Sequence, residues 1–510
     1  MKTFRLIFTT ITVVLAIVLL TVAIRGKAGN PIYYQTQHDT QAGGPFEASN
    51  STSRYALTEA IVKNGTFLLN QSLAIFSSPD AIVNKKGQYT SIFTPGVSFI
   101  GVPFYILGDK LGMPQLFTYL SVFFISILNV FLIARISYKL GAGYYASILS
   151  GLIFLFATDA LLYSQTFTQH QATVLIILLS VLNIFGQRTL LKNIILGMLF
   201  GIGVLIDVPN AFFLMPIFIY VLFKHFNFYS SRKKLAMSFK LNILGIIIGV
   251  IPFIALFGFY NYATTGSYLK LAQLAGGRFV QKTTTIVNTP IHELYPPNTT
   301  FSLPFNPRYQ LNSLYILLIS NERAWIYYSP VLFLGIPGII FLYRTKKHKN
   351  ITVVLLSVGL INILTYSMIA DPWGGWAFGP RYLIPSAAIL SIFIGLAIEG
   401  YKKNIFFAVI LFVLATYSVF ISSLGALTTT SIPPKQEAER LKTPIPYTYQ
   451  YNLDLLNKNF SSSLVYSLYV PKIIAPRNFL YIYTALLVLF LSGVYGASIM
   501  DKTQKGEENV

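Results

Sequence analysis

The apolar residues of this sequence are gathered into long blocks, and these blocks restrict its fold more than any other feature. Most of them approach the ~20 residues that a helix needs to cross the ~30 Å hydrocarbon core of a bilayer. Only 11% of the residues are charged, whereas soluble domains have about 25%. The sequence therefore predicts an all-α polytopic membrane protein, a bundle of about 12 (11–13) transmembrane helices. The blocks lie approximately at residues 6–24, 114–134, 144–160, 171–187, 193–206, 210–223, 241–262, 325–343, 351–370, 382–400, 404–424 and 479–499.

Lys and Arg are concentrated in the short connections between these blocks. Together with both termini, the short connections hold half of the 38 Lys and Arg residues, and the much longer connections hold the other half. Because short cationic loops stay in the cytoplasm, the contrast predicts 12 spans with both termini cytoplasmic. The same asymmetry explains the net charge of +21, so no nucleic-acid partner is predicted.

A weaker apolar block at residues 95–108 contains two prolines and is shorter than a normal span. A segment of this kind is typical of a helix that dips into the membrane without crossing it. The alternative is a short true span, which would invert every later loop and place the cationic cluster Arg344–Lys349 outside.

Three long loops are predicted on the extracytoplasmic side, at residues 26–113, 263–324 and 425–478. All but four of the 17 acidic residues fall on this side, so the polar chemistry is predicted there. We interpret residues 1–424 as one transmembrane module. Residues 425–478 form a further outer loop, and residues 479–510 form the last span and a cytoplasmic tail.

The first outer loop contains several candidate ligands for a phosphate. Residues Ser53–Gly65 predict an amphipathic helix on the membrane surface, with Ser53 as N-cap, Gly65 as C-terminal stop and Arg54 as one cation. Lys85 and Lys86 precede the dipping helix. Cations at the rim of a membrane cavity suit a lipid phosphate, and ordinary snorkelling at the interface is the alternative.

The densest outer motif is DPWGGWAFGPRYLIP, Asp371–Pro385. Its Trp373, Trp376 and Tyr382 are candidates for stacking on a sugar, although such residues also populate interfacial belts. Arg381 carries a planar fork of donors suited to phosphate, and a structural pair with Asp371 is the alternative. A further polar candidate for this sugar or acceptor site is His170, which follows YSQTF at the outer start of a span.

Metal and nucleotide chemistry have little support in the sequence. There is no Cys, and the five His residues show no ligand spacing, so no metal site is predicted. Neither a Walker A motif nor a GxGxxG motif occurs. No cofactor is therefore predicted from the motifs.

Five segments, set behind a first span and a long outer loop, resemble a known family. It is the GT-C superfamily of membrane glycosyltransferases, and within it the protein mannosyltransferase-like group, glycosyltransferase family 39, which includes the lipid A aminoarabinose transferases. The likeness covers roughly residues 1–400. The segments are SRYALTEAIVKNGTF (53–67), GQYTSIFTPGVSFIGVPFYILG (87–108), YSQTFTQHQA (163–172), NERAWIYYSPVLFLGIPG (321–338) and WGGWAFGPRYLIP (373–385).

The resemblance implies transfer of a sugar from a polyprenyl-phosphate donor to a glycan, lipid or protein acceptor on the extracytoplasmic face. A carboxylate deprotonates the acceptor hydroxyl and cations stabilise the departing lipid phosphate. The family usually has an Asp-Glu pair after the first span. Here the matching residues are His38-Asp39-Thr40, so Asp39 is the positional match for the base and Glu47 is the next carboxylate. Membrane lipids are implied partners, and the implied location is the cytoplasmic (inner) membrane of a prokaryote.

Three other functions stay open at this point. A transporter or flippase would keep charges in its span centres and paired broken helices, which are not evident. A lipid-linked-oligosaccharide ligase or polymerase would share the donor lipid but usually has its large loop late in the chain. A catalytically inactive relative would account for the missing acidic pair.

The topology can be tested with reporter fusions. Reporters fused after Lys234 and after Lys349 should both report the cytoplasm, because both follow dense cationic connections. An extracytoplasmic signal at both positions would refute this topology and make residues 95–108 a true span.

Overall fold

The computed structural model describes residues 2–26, 43, 44, 46–231, 234–274, 277, 278, 307–369, 371–441 and 443–501. The candidate base Asp39 lies outside the described residues. Residues 279–306 of the second predicted outer loop also lie outside them.

Helices account for most of the described chain, as the apolar blocks predict. Four short 3₁₀ turns accompany them, at Leu241–Ile243, Ala272–Leu274, Pro330–Leu334 and Arg381–Leu383. The helices are α1 Lys2–Val22, α2 Ser49–Asn64, α3 Gln71–Phe76, α4 Gly96–Lys110, α5 Pro114–Lys139, α6 Tyr144–Phe156, α7 Ala160–Tyr163, α8 His170–Asn183, α9 Leu190–Ile206, α10 Asn210–His225, α11 Leu244–Thr265, α12 Pro307–Leu318, α13 Trp325–Tyr328, α14 Gly335–Arg344, α15 Lys349–Ser367, α16 Ile384–Tyr401, α17 Ile405–Ala426, α18 Lys435–Arg440, α19 Gln450–Asn457, α20 Leu464–Tyr469 and α21 Pro476–Met500.

Two small antiparallel sheets supplement the helices. One has the order β1-β3-β2-β6 and joins the first long loop to the second, with Leu69 and Val83 both opposite Tyr89. The other is the hairpin β4-β5, in which Phe226 pairs with Phe239. The strands are β1 Leu68–Leu69, β2 Ala81–Val83, β3 Tyr89–Ser91, β4 Phe226–Ser231, β5 Lys234–Phe239 and β6 Gly277–Arg278.

In the described part of the chain, seven helices are long and apolar enough to cross a membrane, and five further apolar helices are shorter. Together they occupy the twelve blocks of the hydropathy pattern. The count of twelve crossings stays a prediction, because the shorter five fall below the usual spanning length. The seven are Thr3–Val22, Pro114–Lys139, Leu241–Thr265, Lys349–Ser367, Arg381–Tyr401, Ile405–Ala426 and Pro476–Met500, and the five are Tyr144–Phe156, His170–Asn183, Leu190–Ile206, Asn210–His225 and Pro330–Arg344.

The helix α16 lies at the centre of the bundle. It packs against α5, α6, α14 and α15, and 83% of its most apolar stretch is buried. At Gly338 of α14 an added Cβ would lie 1.8 Å from the Phe393 carbonyl oxygen, so only glycine lets these helices approach so closely. Because Arg381 directly precedes α16, its backbone rests on the most rigid part of the bundle.

The helix α4 packs on a different helix at each end. Its first residue, Gly96, packs on the backbone of Leu205 and Ile206 at the end of α9. Its last turn, at Gly108, packs on Met113 and Pro114 at the start of α5. That this segment dips into the membrane without crossing it stays a prediction.

The helix α2 departs from its prediction at one end. It begins at Ser49 after an extended Ala48, so the prediction of Ser53 as N-cap was wrong. The Ser53 hydroxyl is buried and donates to the Asp80 carbonyl at 2.7 Å, a partner that a local pattern does not reveal. Gly65 ends the helix with a φ of 60°, as predicted. Most of α2 is buried, so it packs as a layer of the protein and not only on a membrane surface.

A buried ion pair joins three distant segments. Arg25, just after α1, pairs with Glu47, and their side chains are 0% and 1% exposed. Arg25 also donates to the Gly425 carbonyl at 3.0 Å. The Glu47 carboxylate accepts further hydrogen bonds from the Gly43 amide, the Thr429 hydroxyl, and both the amide and hydroxyl of Thr430. The pair therefore fastens the end of α1 and the first loop to the segment after α17.

Glu47→Gln should lower the free energy of unfolding by about 3–5 kcal/mol, because it leaves the Arg25 charge buried without its partner. Thermal or denaturant unfolding of the purified protein in detergent measures this. Asp109→Asn is the matched control, since its pair with Lys63 is exposed at 40% and 47% and should cost less than about 1 kcal/mol. Equal losses in the two variants would contradict the assignment.

Candidate functional site

Three arginines are buried at the end of the bundle where the first loop packs, which is the outer side in the predicted topology. Arg54 on α2, Arg323 before α13 and Arg381 before α16 are 1%, 0% and 9% exposed. The ion pairs found among the described residues do not include any of them. A buried charge without a contacting counter-charge is costly, so each of the three needs an explanation.

Backbone carbonyl groups stabilise the buried charge of Arg323. Its guanidinium donates to the carbonyl oxygens of Glu322 at 2.7 Å, Ile432 at 3.2 Å and Trp373 at 3.4 Å. These three contacts use all of its nitrogens. Arg323 therefore ties the loop at Trp373 to the segment after α17, with one hydrogen bond from each of its three nitrogens.

Arg381 and Asp371 do not form the direct pair that was the structural alternative. The Arg381 guanidinium donates to the Gly374 carbonyl, and the Asp371 carboxylate accepts from the Gly374 amide at 3.1 Å. The two side chains thus bind the two polar backbone groups of Gly374, Arg381 its carbonyl and Asp371 its amide. The Arg381 Nε is buried without a hydrogen-bond partner among the described atoms. Desolvation raises the pKa of Asp371, and the nearby Arg381 opposes that rise.

Arg54 is held by neutral groups. Its guanidinium lies 3.8 Å from the centre of the Phe93 ring and donates to the Asn50 carbonyl at 3.0 Å and to the Asn50 side chain. Its Nε has no hydrogen-bond partner in the described structure. Burial lowers the pKa of Arg54 to about 10, with Asp207 opposing the shift. It therefore stays cationic at neutral pH.

The charges of Arg54 and Arg381 act on each other and on His170. His170 lies edge-on to Tyr163 at 5.2 Å and to Tyr382 at 6.3 Å, and its Nε2 is buried without a partner among the described atoms. His170 and Arg381 both lie beside Tyr382, whose ring centre is 6.3 Å from the His170 ring and 5.5 Å from the Arg381 guanidinium, and the charge of Arg54 acts on both.

Neither Arg54 nor Arg381 forms an ion pair among the described residues, while the charges of Asp80 and Asp207 act on Arg54 and that of Asp371 acts on Arg381. Buried guanidinium groups in a low-dielectric region favour a bound anion.

Aromatic side chains also lie in this region. Tyr382 stacks on Tyr366 with ring centres 4.1 Å apart and planes 6° apart. The predicted Trp373 and Trp376 each donate an indole N–H to a carboxylate at 2.6 Å, to Glu322 and Glu437 respectively. Because each indole is anchored through its only polar atom, the orientation of its ring is fixed.

A small cavity joins three of the predicted residues. Glu47, Trp376 and Arg381 all line it, and most of its other lining side chains carry hydroxyl groups: Ser51, Tyr163, Thr166, Thr168 and Thr430. Hydroxyl groups both donate and accept hydrogen bonds. The cavity has a volume of about 10 Å³, room for about one water molecule. Its wall therefore combines one cation, one carboxylate and one fixed indole ring with hydroxyl groups, but the space is too small for a sugar ring as it stands.

Two other predicted residues lie apart from these side chains. Lys85 and Lys86 are exposed at the turn between β2 and β3, where the Asn84 side chain accepts from the backbone amides of Lys86 and Gln88. None of the contacts found in the described chain links either lysine to Arg54 or Arg381.

Asp159, at the corner between α6 and α7, lies against the loop that carries Arg381. A Cβ at Gly379 would lie 2.5 Å from its Oδ2, and Gly379 has a φ of 58°, a conformation that favours glycine. The other oxygen, Oδ1, is buried without a partner among the described atoms. Sequence reasoning missed Arg323 and Tyr366 altogether. The only signal for Arg323 was a charge within the apolar segment NERAWIYY.

Among the described residues no group of three or more His, Cys, Asp or Glu side chains could hold a metal ion.

Comparison with known proteins gives matches in structure alone. No family model matches the sequence, and no curated protein matches it. ArnT from Cupriavidus metallidurans in the apo state is 10% identical with a TM-score of 0.47, covering 98% of this chain and 77% of that one. ArnT bound to undecaprenyl phosphate is 13% identical with a TM-score of 0.46, covering 98% and 76%. The archaeal oligosaccharyltransferase AglB from Archaeoglobus fulgidus, in complex with an inhibitory peptide and a dolichol-phosphate, is 13% identical with a TM-score of 0.44, covering 93% and 60%.

Asp207→Asn should flatten the pH dependence of stability between about pH 4 and 6. Desolvation raises the pKa of Asp207 to about 6 from 3.8, against the opposing effects of Arg54 and a hydrogen bond from Gln169. The folded chain therefore keeps a proton that the unfolded chain releases, and stability present below pH 4 is lost as the pH rises through 6. Thermal unfolding across this range measures the effect, with the exposed Asp109→Asn as control. A wild-type pH profile in Asp207→Asn would contradict the prediction.

Proposed function

We propose that this chain transfers a sugar from a polyprenyl-phosphate donor to an acceptor hydroxyl on the extracytoplasmic side of the membrane. One observation carries the proposal. Arg54 and Arg381 are both buried, and neither forms an ion pair among the described residues, at the end of a bundle of apolar helices. A phosphate supplies the missing negative charge, and a lipid-linked phosphate lies at that depth with its chain in the bilayer. The sequence resemblance to GT-C glycosyltransferases supports the same assignment.

In the proposed reaction the acceptor oxygen attacks the anomeric carbon of the sugar and the bond to the phosphate oxygen breaks, with inversion. The two electrons of that bond leave with the lipid phosphate, which gains negative charge. Arg54 and Arg381 stabilise the developing charge because both stay protonated and fixed. The acceptor proton passes to a carboxylate.

We assign that carboxylate to Asp39, with Glu47 in a positioning role. Both oxygens of Glu47 already accept hydrogen bonds in addition to the Arg25 pair. A carboxylate so fully occupied is a weak proton acceptor. Asp39 is the base implied by the family resemblance.

The sugar and acceptor are assigned to the aromatic and hydroxyl-lined side of the site. Trp376 lines the cavity beside Arg381, and we place Trp373, Tyr382 and His170 around the same ligands. Lys85 and Lys86 are assigned to the lipid headgroups near the donor. The acceptor class is a glycan, a lipid or a protein, and the membrane is the cytoplasmic (inner) membrane of a prokaryote.

The phosphate assignment is tested by binding of undecaprenyl phosphate to the purified protein. Arg381→Lys keeps the charge and loses the two-pronged donor geometry, so affinity should fall about 10- to 100-fold. Arg477→Lys is the matched control, because Arg477 is exposed and stacks on Tyr481 at 5.8 Å; its affinity should be unchanged. Wild-type affinity in a folded Arg381→Ala variant would remove this residue from the site.

The same preparation separates binding from turnover. Asp39→Asn should bind undecaprenyl phosphate normally and lose about 10²–10⁴-fold in transfer from a sugar-labelled polyprenyl-phosphate extract. Near wild-type transfer by Asp39→Asn would reassign the base.

A further inference from the structure

A second cavity, of about 380 Å³, lies far from Arg54 and Arg381. It is formed between α1 and the hairpin of α5 and α6, toward the end where α1 begins. Half of its lining residues are aliphatic, with Val13 and Ala16 on one side and Ile127, Val130 and Leu152 on the other. The proposed transfer reaction has no use for this space.

The cavity exists because α1 touches the hairpin near its own N-terminus. Phe8 packs edge-on against Tyr145 at 4.8 Å, and Arg5 lies 4.9 Å from the Tyr144 ring centre. Further along, the small Ala16 lines the cavity and leaves the opposite wall uncontacted. Empty space of this size loses dispersion contacts on every wall, and bilayer hydrocarbon is available to fill it.

Two cations line the mouth of the cavity. Arg5 is paired with Asp501 at 3.5 Å. Arg135 is exposed and takes part in none of the hydrogen bonds or ion pairs found in the described chain. Two positive charges and one negative charge leave the mouth with a net positive charge. Lys139, the next cation along α5, does not line the cavity and lies over the Phe185 ring at 5.3 Å.

The length of the cavity matches the hydrocarbon thickness of one leaflet. The lining part of α5 runs from Ile127 to Tyr138, about 17 Å at ~1.5 Å per residue. Half of a ~30 Å hydrocarbon core is about 15 Å. A lipid in the leaflet where α1 begins could therefore place its headgroup beside Arg135. One of its acyl chains would then extend into the cavity and fill it.

We propose that this cavity binds one anionic phospholipid, with an acyl chain between α1 and the α5–α6 hairpin and the phosphate on Arg135. The aliphatic wall selects a lipid chain, and the net positive mouth selects an anionic headgroup over a zwitterionic one. The bound lipid completes the packing of α1 against the bundle.

Native mass spectrometry of the full chain from nanodiscs with equal phosphatidylglycerol and phosphatidylcholine tests the proposal. Wild-type protein should retain phosphatidylglycerol preferentially. Arg135→Gln should reduce its retention about fivefold, the effect of about 1 kcal/mol per interfacial cation. Lys139→Gln makes the same charge change on the same helix outside the cavity and should retain nearly the wild-type amount. Equal losses in both variants, or equal retention of the two lipids by wild-type protein, would overturn the site.

Ala16→Phe tests the cavity with the charges unchanged. The ring fills the space, so phosphatidylglycerol retention should fall while a single folded species persists in size-exclusion chromatography. If Ala16→Phe does not fold, Ser147→Leu fills the same cavity from the α6 side. Full retention in a folded, filled variant would overturn the proposal. Displacement of the lipid by sn-glycerol 3-phosphate would make the ligand a free phosphate and also overturn it. None of these measurements depends on sugar transfer.

Discussion

The buried pair of Arg25 and Glu47 is the contact on which the rest of this end of the molecule depends. Burial of the two charges costs desolvation free energy. Hydrogen bonds from three further residues to the carboxylate offset that cost. The partners come from the end of α1, from the first loop and from the segment after α17. Glu47 also lines the small cavity beside Arg381. The shape of the candidate site is therefore set by an interaction that is itself structural.

Arg54 and Arg381 differ from Arg25 in their partners, not in their burial. Arg25 contacts a carboxylate, whereas Arg54 and Arg381 donate to neutral oxygens, those of Asn50 and Gly374. Neutral acceptors fix the geometry of a guanidinium without cancelling its charge. The proposed phosphate site rests on this difference, because neither guanidinium is paired with a contacting carboxylate among the described residues.

Hydropathy predicted the apolar helices well because their length and composition are properties of single segments. The block at 241–262, for example, appears as the turn Leu241–Ile243 and the helix α11 that follows it. Local patterns failed where the partner is distant. The start of α2 was misplaced because Ser53 is satisfied by Asp80 and Ser91 inside the protein and not by its own helix end. The charges of Arg54 and Arg381 act on each other although the residues are more than 300 positions apart in the sequence. The hydrogen bonds of Arg323 also reach distant segments. Both depend on tertiary packing, which no local sequence pattern reveals.

The contact between Gly379 and Asp159 limits which substitutions these two positions can accept during evolution. Any side chain at position 379 meets both a left-handed backbone and a carboxylate at 2.5 Å. A larger residue there is tolerated only if position 159 becomes smaller and the loop is rebuilt. Among diverging copies of this gene, position 379 should therefore stay glycine unless position 159 has also changed. Trp373 and Trp376 are anchored through separate carboxylates, Glu322 and Glu437, so a change at one position does not require a change at the other.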